Sequence, residues 1–354
     1  MSRFFSEKYR ELTPYTPGEQ PKDMKYIKLN TNESPFPPCP QAMQAAAEAA
    51  KRTQLYSDPE CRELTRLTAE LCGVAPDEVL MTNGSDEILN FAFMAFCDKS
   101  HPAAFADITY GFYPVFAQLN HVPYTEIPLN PDFTVNVKDY LGINKTIFIA
   151  NPNAPTGIAL PRAQIEEILR SNPNNVVVVD EAYVDFGAES CIPLIRKYDN
   201  LLVTQTFSKS RSMAGARLGF GVGCKELIAD LNTVKYSTNP YNVNAMTQAA
   251  GIGTLQCEEY TRKNCQTIIE NREFTIRELK KLGFAVTDSK TNFVFAAHPA
   301  IDGGTLYAKL RERGILVRHF NKPAIQAYNR ITVGTREEMD ALLGAIRAIM
   351  EETK

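Results

Sequence analysis

The sequence has no excess of positive charge, and this absence limits the partners that we expect. Its formal net charge is −3, from 38 Lys and Arg against 41 Asp and Glu. Proteins that bind a phosphate backbone or an anionic membrane surface are attracted through a basic excess. We therefore expect neither nucleic acid nor a membrane as a partner.

Long apolar runs and metal-type cysteine spacings are also missing. No run approaches the roughly 18 apolar residues of a membrane-spanning helix, and residues 1–15 lack the apolar core of a signal peptide. The 8 cysteines contain no C-x-x-C pair and no short spacing to histidine. We expect no metal site. Several cysteines fall in apolar helical patterns, which predicts reduced, mostly buried thiols and a cytoplasmic protein.

Short apolar runs alternate with amphipathic helical patterns through the first two thirds of the chain. The segments 78–97 and 102–120 each read as a strand, a turn and a helix. This alternation predicts an α/β fold with a mostly parallel sheet covered by helices on both faces. From about residue 250, a long helix and then strands with flanking helices predict a smaller α+β domain.

The length of 354 residues favours two domains. We predict an N-terminal arm at 1–40 that contributes to the small domain and the active site, a large domain at 41–250, and a small C-terminal domain at 251–354. We find no internal repeat and no low-complexity segment.

Polar residues follow several of the apolar runs, where a parallel sheet presents its ligand-binding edge. The stretch TNGSDE (82–87) puts a glycine and backbone amides at a helix start, which is typical of an anion site. Asp180 ends the apolar run of DEAYVDF (180–186), where a buried carboxylate needs a cationic partner. A capped helix and an exposed turn are the plain structural alternatives for these two stretches.

Two more stretches complete the set. TYGFY (109–113) offers Tyr110 as an aromatic plate, although simple aromatic packing would also explain it. SKSRSMAGARLGF (208–220) brings a serine, a lysine and arginines together, and a solvated loop is its plain alternative. One ligand suits all of these features. Pyridoxal 5'-phosphate needs a lysine for its aldehyde, an acid for its ring nitrogen, an aromatic face, and amides, a hydroxyl and an arginine for its phosphate.

Four motifs resemble those of the fold-type I pyridoxal-phosphate aminotransferases: NPNAPTG (151–157), DEAYVDF (180–186), SKSRSMAGARLGF (208–220) and NRITVGTREE (329–338). The resemblance covers nearly the whole chain, from residue 29 to residue 335. It implies the fold-type I architecture, pyridoxal 5'-phosphate as cofactor, and a homodimer with shared active sites.

The resemblance also implies roles for individual residues. Lys209 would form the Schiff base with the cofactor and then move the substrate proton, Asp180 would pair with the ring nitrogen, and Tyr183 would donate to the phenolic oxygen. The implied cofactor contacts are Gly84, Ser85, Asp86, Tyr110, Asn153, Asp180, Tyr183, Ser208, Lys209, Arg217 and, reaching the neighbouring subunit, Tyr56. The implied substrate contacts are Arg330, Arg318, Tyr15 and Asn32.

One position departs from the pattern. Many relatives carry asparagine immediately before PTG, where this chain has Ala154, and Asn153 is the nearest residue that could supply the amide. The sequence also leaves two interpretations of Arg211, a helper in the site or a surface residue.

The resemblance favours transamination of histidinol phosphate with 2-oxoglutarate, giving imidazole acetol phosphate and glutamate, in histidine biosynthesis. Aromatic amino-acid transamination and threonine-phosphate decarboxylation share nearly all of these motifs and stay open. A cofactor-binding regulator on the same fold would normally need a DNA-binding domain, and the first 40 or so residues carry no helix-turn-helix pattern.

Overall fold

The computed structural model describes residues 2–352, which form two β-sheets and the helices that cover them. The strands are β1 (Ile27–Leu29), β2 (Val79–Thr82), β3 (Ala103–Ala106), β4 (Tyr124–Ile127), β5 (Thr146–Ala150), β6 (Val177–Asp180), β7 (Leu201–Thr206), β8 (Gly219–Gly223), β9 (Ala285–Val286), β10 (Phe293–Ala297), β11 (Ile315–His319) and β12 (Tyr328–Thr332). The helices are α1 (Pro40–Ala50), α2 (Arg62–Cys72), α3 (Ser85–Phe96), α4 (Tyr113–Leu119), α5 (Arg162–Ser171), α6 (Lys225–Thr238), α7 (Ala245–Leu255), α8 (Glu258–Lys281), α9 (Gly303–Glu312) and α10 (Arg336–Glu352).

The larger sheet has the strand order β2-β8-β7-β6-β5-β3-β4. Strands β3 to β7 pair in parallel, whereas β8 runs antiparallel to both of its neighbours. Every residue of β6 and β7 is buried, as expected for strands that helices cover on both faces. The predicted α/β class with a mostly parallel sheet is confirmed.

The smaller sheet has the strand order β1-β11-β12-β10-β9. Its first strand comes from the N-terminal arm, because β1 pairs in parallel with β11 through Ile27–Ile315 to Leu29–Val317. The sequence alone does not predict a strand within the arm, since three residues are too few to show an alternating pattern. The domain boundaries at residues 41 and 251 stay predictions.

The connection between the two sheets passes through closely packed helices. A side chain at Gly253 of α7 would place its Cβ 2.8 Å from the Cα of Ala42 in α1, so the two helices touch backbone to backbone. The helix α8 then begins at Glu258 and carries the chain to the small sheet. Within residues 2–352, no helix combines the length and the apolar character needed to cross a membrane.

Candidate active site

The ends of β5, β6 and β7 lie side by side at one edge of the large sheet. Asp180 pairs with Ala150 on one side and with Thr204 on the other. The polar residues that follow these strands line a cavity of about 260 Å³. Among its lining residues are Ser85, Asp86, Tyr110, Asp180, Tyr183, Ser208, Lys209 and Arg217. The structure therefore brings together most of the residues that the sequence suggested for a cofactor site.

Asp180 is the buried acid of this cavity. Its carboxylate accepts hydrogen bonds from the Tyr113 hydroxyl at 3.2 Å and from the Ala182 amide at 3.2 Å. Burial raises the pKa of Asp180 to about 7, and these two hydrogen bonds only partly oppose that rise. A carboxylate held this way gains most from a cation placed next to it.

Lys209 enters the same cavity from the loop after β7. Its Nζ donates to the backbone oxygen of Thr31 at 3.5 Å and lies 5.7 Å from the centre of the Tyr183 ring. The Tyr183 hydroxyl accepts a hydrogen bond from the Asn32 amide at 2.9 Å. Because Asn32 is the donor, the hydroxyl hydrogen of Tyr183 is free to be donated elsewhere.

The start of α3, where the sequence predicts an anion site, lies next to Arg217. Gly84 caps the helix at φ +79°, and a Cβ there would lie 2.6 Å from Nη2 of Arg217. Glycine is needed at this position for both its conformation and the close approach of the guanidinium. Arg217 donates to Ser208 Oγ at 3.3 Å and to the Asp86 carboxylate at 3.2 Å. Asp86 also accepts from the Tyr110 hydroxyl at 2.7 Å.

A second cavity, of about 510 Å³, adjoins the first and extends between the small sheet and the N-terminal arm. The four residues suggested for substrate binding all line it, namely Tyr15, Asn32, Arg318 and Arg330. Tyr15 stacks on Phe112 with ring centres 4.3 Å apart, next to Tyr110. The arm thus closes one side of the cleft.

Arg318 and Arg330 occupy paired positions on neighbouring strands. Arg318 donates to the backbone oxygens of Thr16 at 3.2 Å and Pro17 at 3.4 Å, and Arg330 donates to that of Asn30 at 3.1 Å. Burial lowers the pKa of Arg330. Its Nε is buried without a hydrogen-bond partner among residues 2–352. Two like charges side by side are unfavourable, so this arrangement suits an anionic ligand.

Three residues suggested from the sequence, Gly84, Asn153 and Tyr56, line neither cavity, although Gly84 directly precedes the lining residue Ser85. The Asn153 amide donates to Ile108 O at 2.9 Å and to Thr156 Oγ1 at 3.0 Å, and its oxygen accepts from Thr109 at 2.8 Å. These bonds leave Asn153 a role in holding loops together, and Ala154 lines the cavities in its place. Asn32 is the amide that reaches Tyr183.

Tyr56 also lines neither cavity. It is 84% exposed and stacks on Tyr241 with ring centres 4.5 Å apart.

Sequence reasoning missed two residues of the site. Tyr113, the last residue of TYGFY, bonds Asp180, but its buried position at the start of α4 looked like ordinary aromatic packing. Lys322 lines the second cavity and donates to the backbone oxygen of Asp107 at 2.6 Å. Lys322 follows Arg318 by four residues in the sequence, and this closeness to another cationic residue could have indicated that it belongs to the site.

Comparison with known proteins agrees with this geometry. The chain belongs to the class I and II aminotransferase family, whose model matches residues 24–346. It is 48% identical to the histidinol-phosphate aminotransferase of Brachyspira hyodysenteriae over 353 residues, which cover 99% of this chain and 100% of that relative.

The histidinol-phosphate aminotransferase of a Marinomonas species is also 48% identical, with the same coverage of both chains. Among solved structures, the Sinorhizobium meliloti histidinol-phosphate aminotransferase in complex with pyridoxal-5'-phosphate superposes with a TM-score of 0.85 at 23% identity, covering 93% of this chain and 92% of that one. At that identity the likeness concerns the fold. The family resemblance stated from the motifs is confirmed.

Proposed function

We propose that the protein is a pyridoxal-phosphate-dependent aminotransferase that transfers the amino group of histidinol phosphate to 2-oxoglutarate. The observation that carries this proposal is the pair Arg318 and Arg330, which lines the cavity next to the one that contains Asp180, with Lys209 lining both cavities. Relatives with 48% identity over the full chain carry the histidinol-phosphate aminotransferase name. The substrate assignment rests on this similarity together with the arginine pair.

The residues of the first cavity fit pyridoxal 5'-phosphate. Asp180 is buried, with its pKa raised to about 7, and so would be stabilised by the protonated ring nitrogen. Ser208, Arg217 and the amides at the start of α3 would hold the phosphate. Tyr110 supplies an aromatic face. When bound, the cofactor provides an aldehyde that links to amines and a ring that accepts electrons from the substrate carbon.

Lys209 supplies the reactive amine and moves the proton. Its Nζ would carry the cofactor and, once the substrate amine has replaced it, would take a proton from the substrate carbon and pass it to the carbon of the cofactor that had been the aldehyde. Tyr183 would donate its free hydroxyl hydrogen to the cofactor phenolic oxygen, and Asn32 fixes the direction of that donation. Asp180 would carry the negative charge that keeps the ring nitrogen of a bound cofactor protonated.

The two arginines would bind the anionic end of each substrate. Histidinol phosphate carries a phosphate, whereas glutamate carries carboxylates, and a guanidinium fork binds either group with two hydrogen bonds. Arg330 already has an unpaired Nε among the described residues. Tyr15, on the arm, would add a hydroxyl to the same anion.

We also propose that the protein is a cytoplasmic homodimer with shared active sites. Leu55, Tyr56 and Tyr241 are 63%, 84% and 41% exposed, respectively, and the two tyrosines stack. Exposed apolar side chains gathered in this way are typical of a protein contact. In a dimer, Tyr56 would donate to the phosphate bound by the second copy.

A half-reaction screen tests the function. The cofactor-loaded protein is mixed separately with histidinol phosphate, glutamate, phenylalanine and threonine phosphate, and the visible absorbance of the bound cofactor is followed. We expect histidinol phosphate and glutamate to discharge the absorbance fastest. Faster discharge by phenylalanine would favour aromatic transamination, and release of carbon dioxide from threonine phosphate would favour the decarboxylase.

A further inference from the structure

Arg211 lies two residues after Lys209 and has no part in the mechanism above. Its side chain is only 3% exposed, so the interpretation as a surface residue is wrong. A buried guanidinium is costly unless it is paired. Its partners therefore indicate what it does.

The first partner is Asp185, in the segment that follows Asp180. Arg211 Nη1 donates to Asp185 Oδ2 at 2.9 Å, and the neighbouring Ser210 hydroxyl donates to the same oxygen at 2.5 Å. One carboxylate thus holds two consecutive residues of the lysine loop. Asp185 is two residues beyond Tyr183, so these bonds link the loop of Lys209 to the segment that carries Asp180 and Tyr183.

The second partner is Glu258, the first residue of α8. Its Oε2 lies 3.8 Å from Arg211 Nη2. Burial raises the pKa of Glu258, and the Arg211 charge opposes that rise. Neither Arg211 Nε nor Glu258 Oε2 has a hydrogen-bond partner within residues 2–352. The guanidinium is therefore held between two acids that belong to different segments.

We propose that Arg211 is a positioning residue that fixes the loop carrying Lys209 against the segment carrying Asp180 and Tyr183. The inference rests on the proposed function, in which Lys209 is the reactive amine. Removing the guanidinium would leave the Asp185 and Glu258 carboxylates, which are 34% and 32% exposed, without the cation between them, and like charges repel each other. The loop that carries Lys209 would then lose the hydrogen bond from Arg211 to Asp185, and Lys209 would be free to shift. A displacement of a reacting group by about 1 Å can lower the rate about 10²-fold.

The test compares three variants in the half-reaction with glutamate. Arg211→Met removes the guanidinium at similar volume, and Arg211→Lys keeps a charge for Asp185. Arg272→Met is the matched control, because Arg272 is another buried arginine, is 3% exposed, and donates to Phe186 O and Thr291 O rather than to the lysine loop.

We expect Arg211→Met to lower the maximal rate about 10- to 100-fold while KM for glutamate changes less than about threefold and the cofactor stays bound. Arg211→Lys should recover part of that rate. Arg272→Met should lower the melting temperature but leave the maximal rate within about threefold of the unmodified protein.

An unchanged rate in Arg211→Met would overturn the proposal, and so would an equal loss of rate in Arg272→Met. If Arg211→Met does not fold, Ser210→Ala and Arg211→Lys decide, since both keep the buried charge. A lowered maximal rate at constant KM supports the proposal, and an unchanged rate in both overturns it. Failure of the proposed function would appear in the unmodified protein as no discharge by glutamate, whereas failure of the positioning role appears only in the variants.

Discussion

The two sides of the cleft differ in how their polar groups are satisfied. On the large-sheet side, Arg217 donates to both Ser208 and Asp86, and Tyr113 donates to Asp180. On the small-sheet side, Arg318 and Arg330 stand at paired strand positions, and their side-chain hydrogen bonds within residues 2–352 go to backbone oxygens of the arm.

From this difference we infer that the large-sheet side carries out the reaction and that the small-sheet side selects the substrate. The large-sheet side is a hydrogen-bonded network next to the buried parallel strands β6 and β7, so we expect its geometry to change little when a ligand binds. The small-sheet side holds two cations without a carboxylate partner among residues 2–352. An incoming anion would relieve that imbalance. Variants on the two sides should therefore have different effects.

The largest effect is expected on the large-sheet side. Lys209→Ala should abolish turnover for every amine while leaving the fold intact, because it removes both the covalent anchor and the proton carrier. General acid–base groups alone are worth about 10²–10⁴-fold. A turnover assay measures the loss of activity, and circular dichroism shows whether the fold is intact. Retention of more than about a hundredth of the original turnover would argue against the role of Lys209.

The next largest effect is expected across the cleft. Arg330→Lys keeps a positive charge but loses the fork, so kcat/KM should fall for both histidinol phosphate and glutamate. Loss of one charge-assisted bond of about 1.5–3 kcal/mol corresponds to about 10- to 150-fold. Cofactor affinity should stay the same, since Arg330 belongs to the substrate side. If Arg330→Lys lowered only the affinity for the cofactor, the claim that the small-sheet side binds the substrate would be wrong.

A smaller effect is expected at the contact between copies. Tyr56→Phe should weaken cofactor retention by about tenfold or more, because one hydroxyl donor to a phosphate is lost. Dialysis followed by absorbance measures retention, and light scattering measures the oligomeric state. Tyr236→Phe is a matched control, since it changes another exposed tyrosine, at 47% exposure. A fully active monomer would show that the shared-site proposal is wrong.

The smallest expected effect is a pH dependence of stability. Burial raises the pKa of both Asp180 and Glu181 to about 7. The folded state then binds more protons than the unfolded state between about pH 4 and pH 7, so stability is lost as pH rises through 7. The melting temperature of the cofactor-free protein should fall from pH 5 to pH 8.

Two variants show which carboxyl group causes the fall in melting temperature between pH 5 and pH 8. Asp180→Asn should reduce it only when the cofactor is absent, because the bound cofactor already gives Asp180 a cationic partner. Glu181→Gln should reduce the fall in melting temperature both with and without cofactor. The Glu181 carboxylate is hydrogen-bonded to Ser190 and Gln205 and is not expected to contact the cofactor. A melting temperature that rises over this range in the cofactor-free protein would contradict the assignment.

The large-sheet side was largely predictable from the sequence. Asp180, Ser208 and Lys209 follow apolar runs, and parallel strand ends meet at one edge, so local patterns alone bring these residues together. Gly84 and Arg217 followed from the helix start and the family motif.

The rest depends on contacts between distant segments. The pairing of β1 with β11 joins residues nearly 300 positions apart, and no local pattern predicts it. Asn153 was favoured for its closeness in sequence to Ala154, but its amide turns towards Ile108, whereas Asn32 from the arm reaches Tyr183. The burial of Arg211 depends on Asp185 and Glu258, which lie 26 and 47 residues away.

The central claim is that the small-sheet arginines choose the substrate while the large sheet performs the chemistry. The most direct test is the ratio of kcat/KM for histidinol phosphate to that for phenylalanine, measured in the unmodified protein and in Arg318→Ala. We predict that the ratio falls by about tenfold or more, because only histidinol phosphate has a phosphate for the fork to bind, while the cofactor absorbance is unchanged. An unchanged ratio would contradict the claim and would favour aromatic transamination as the function.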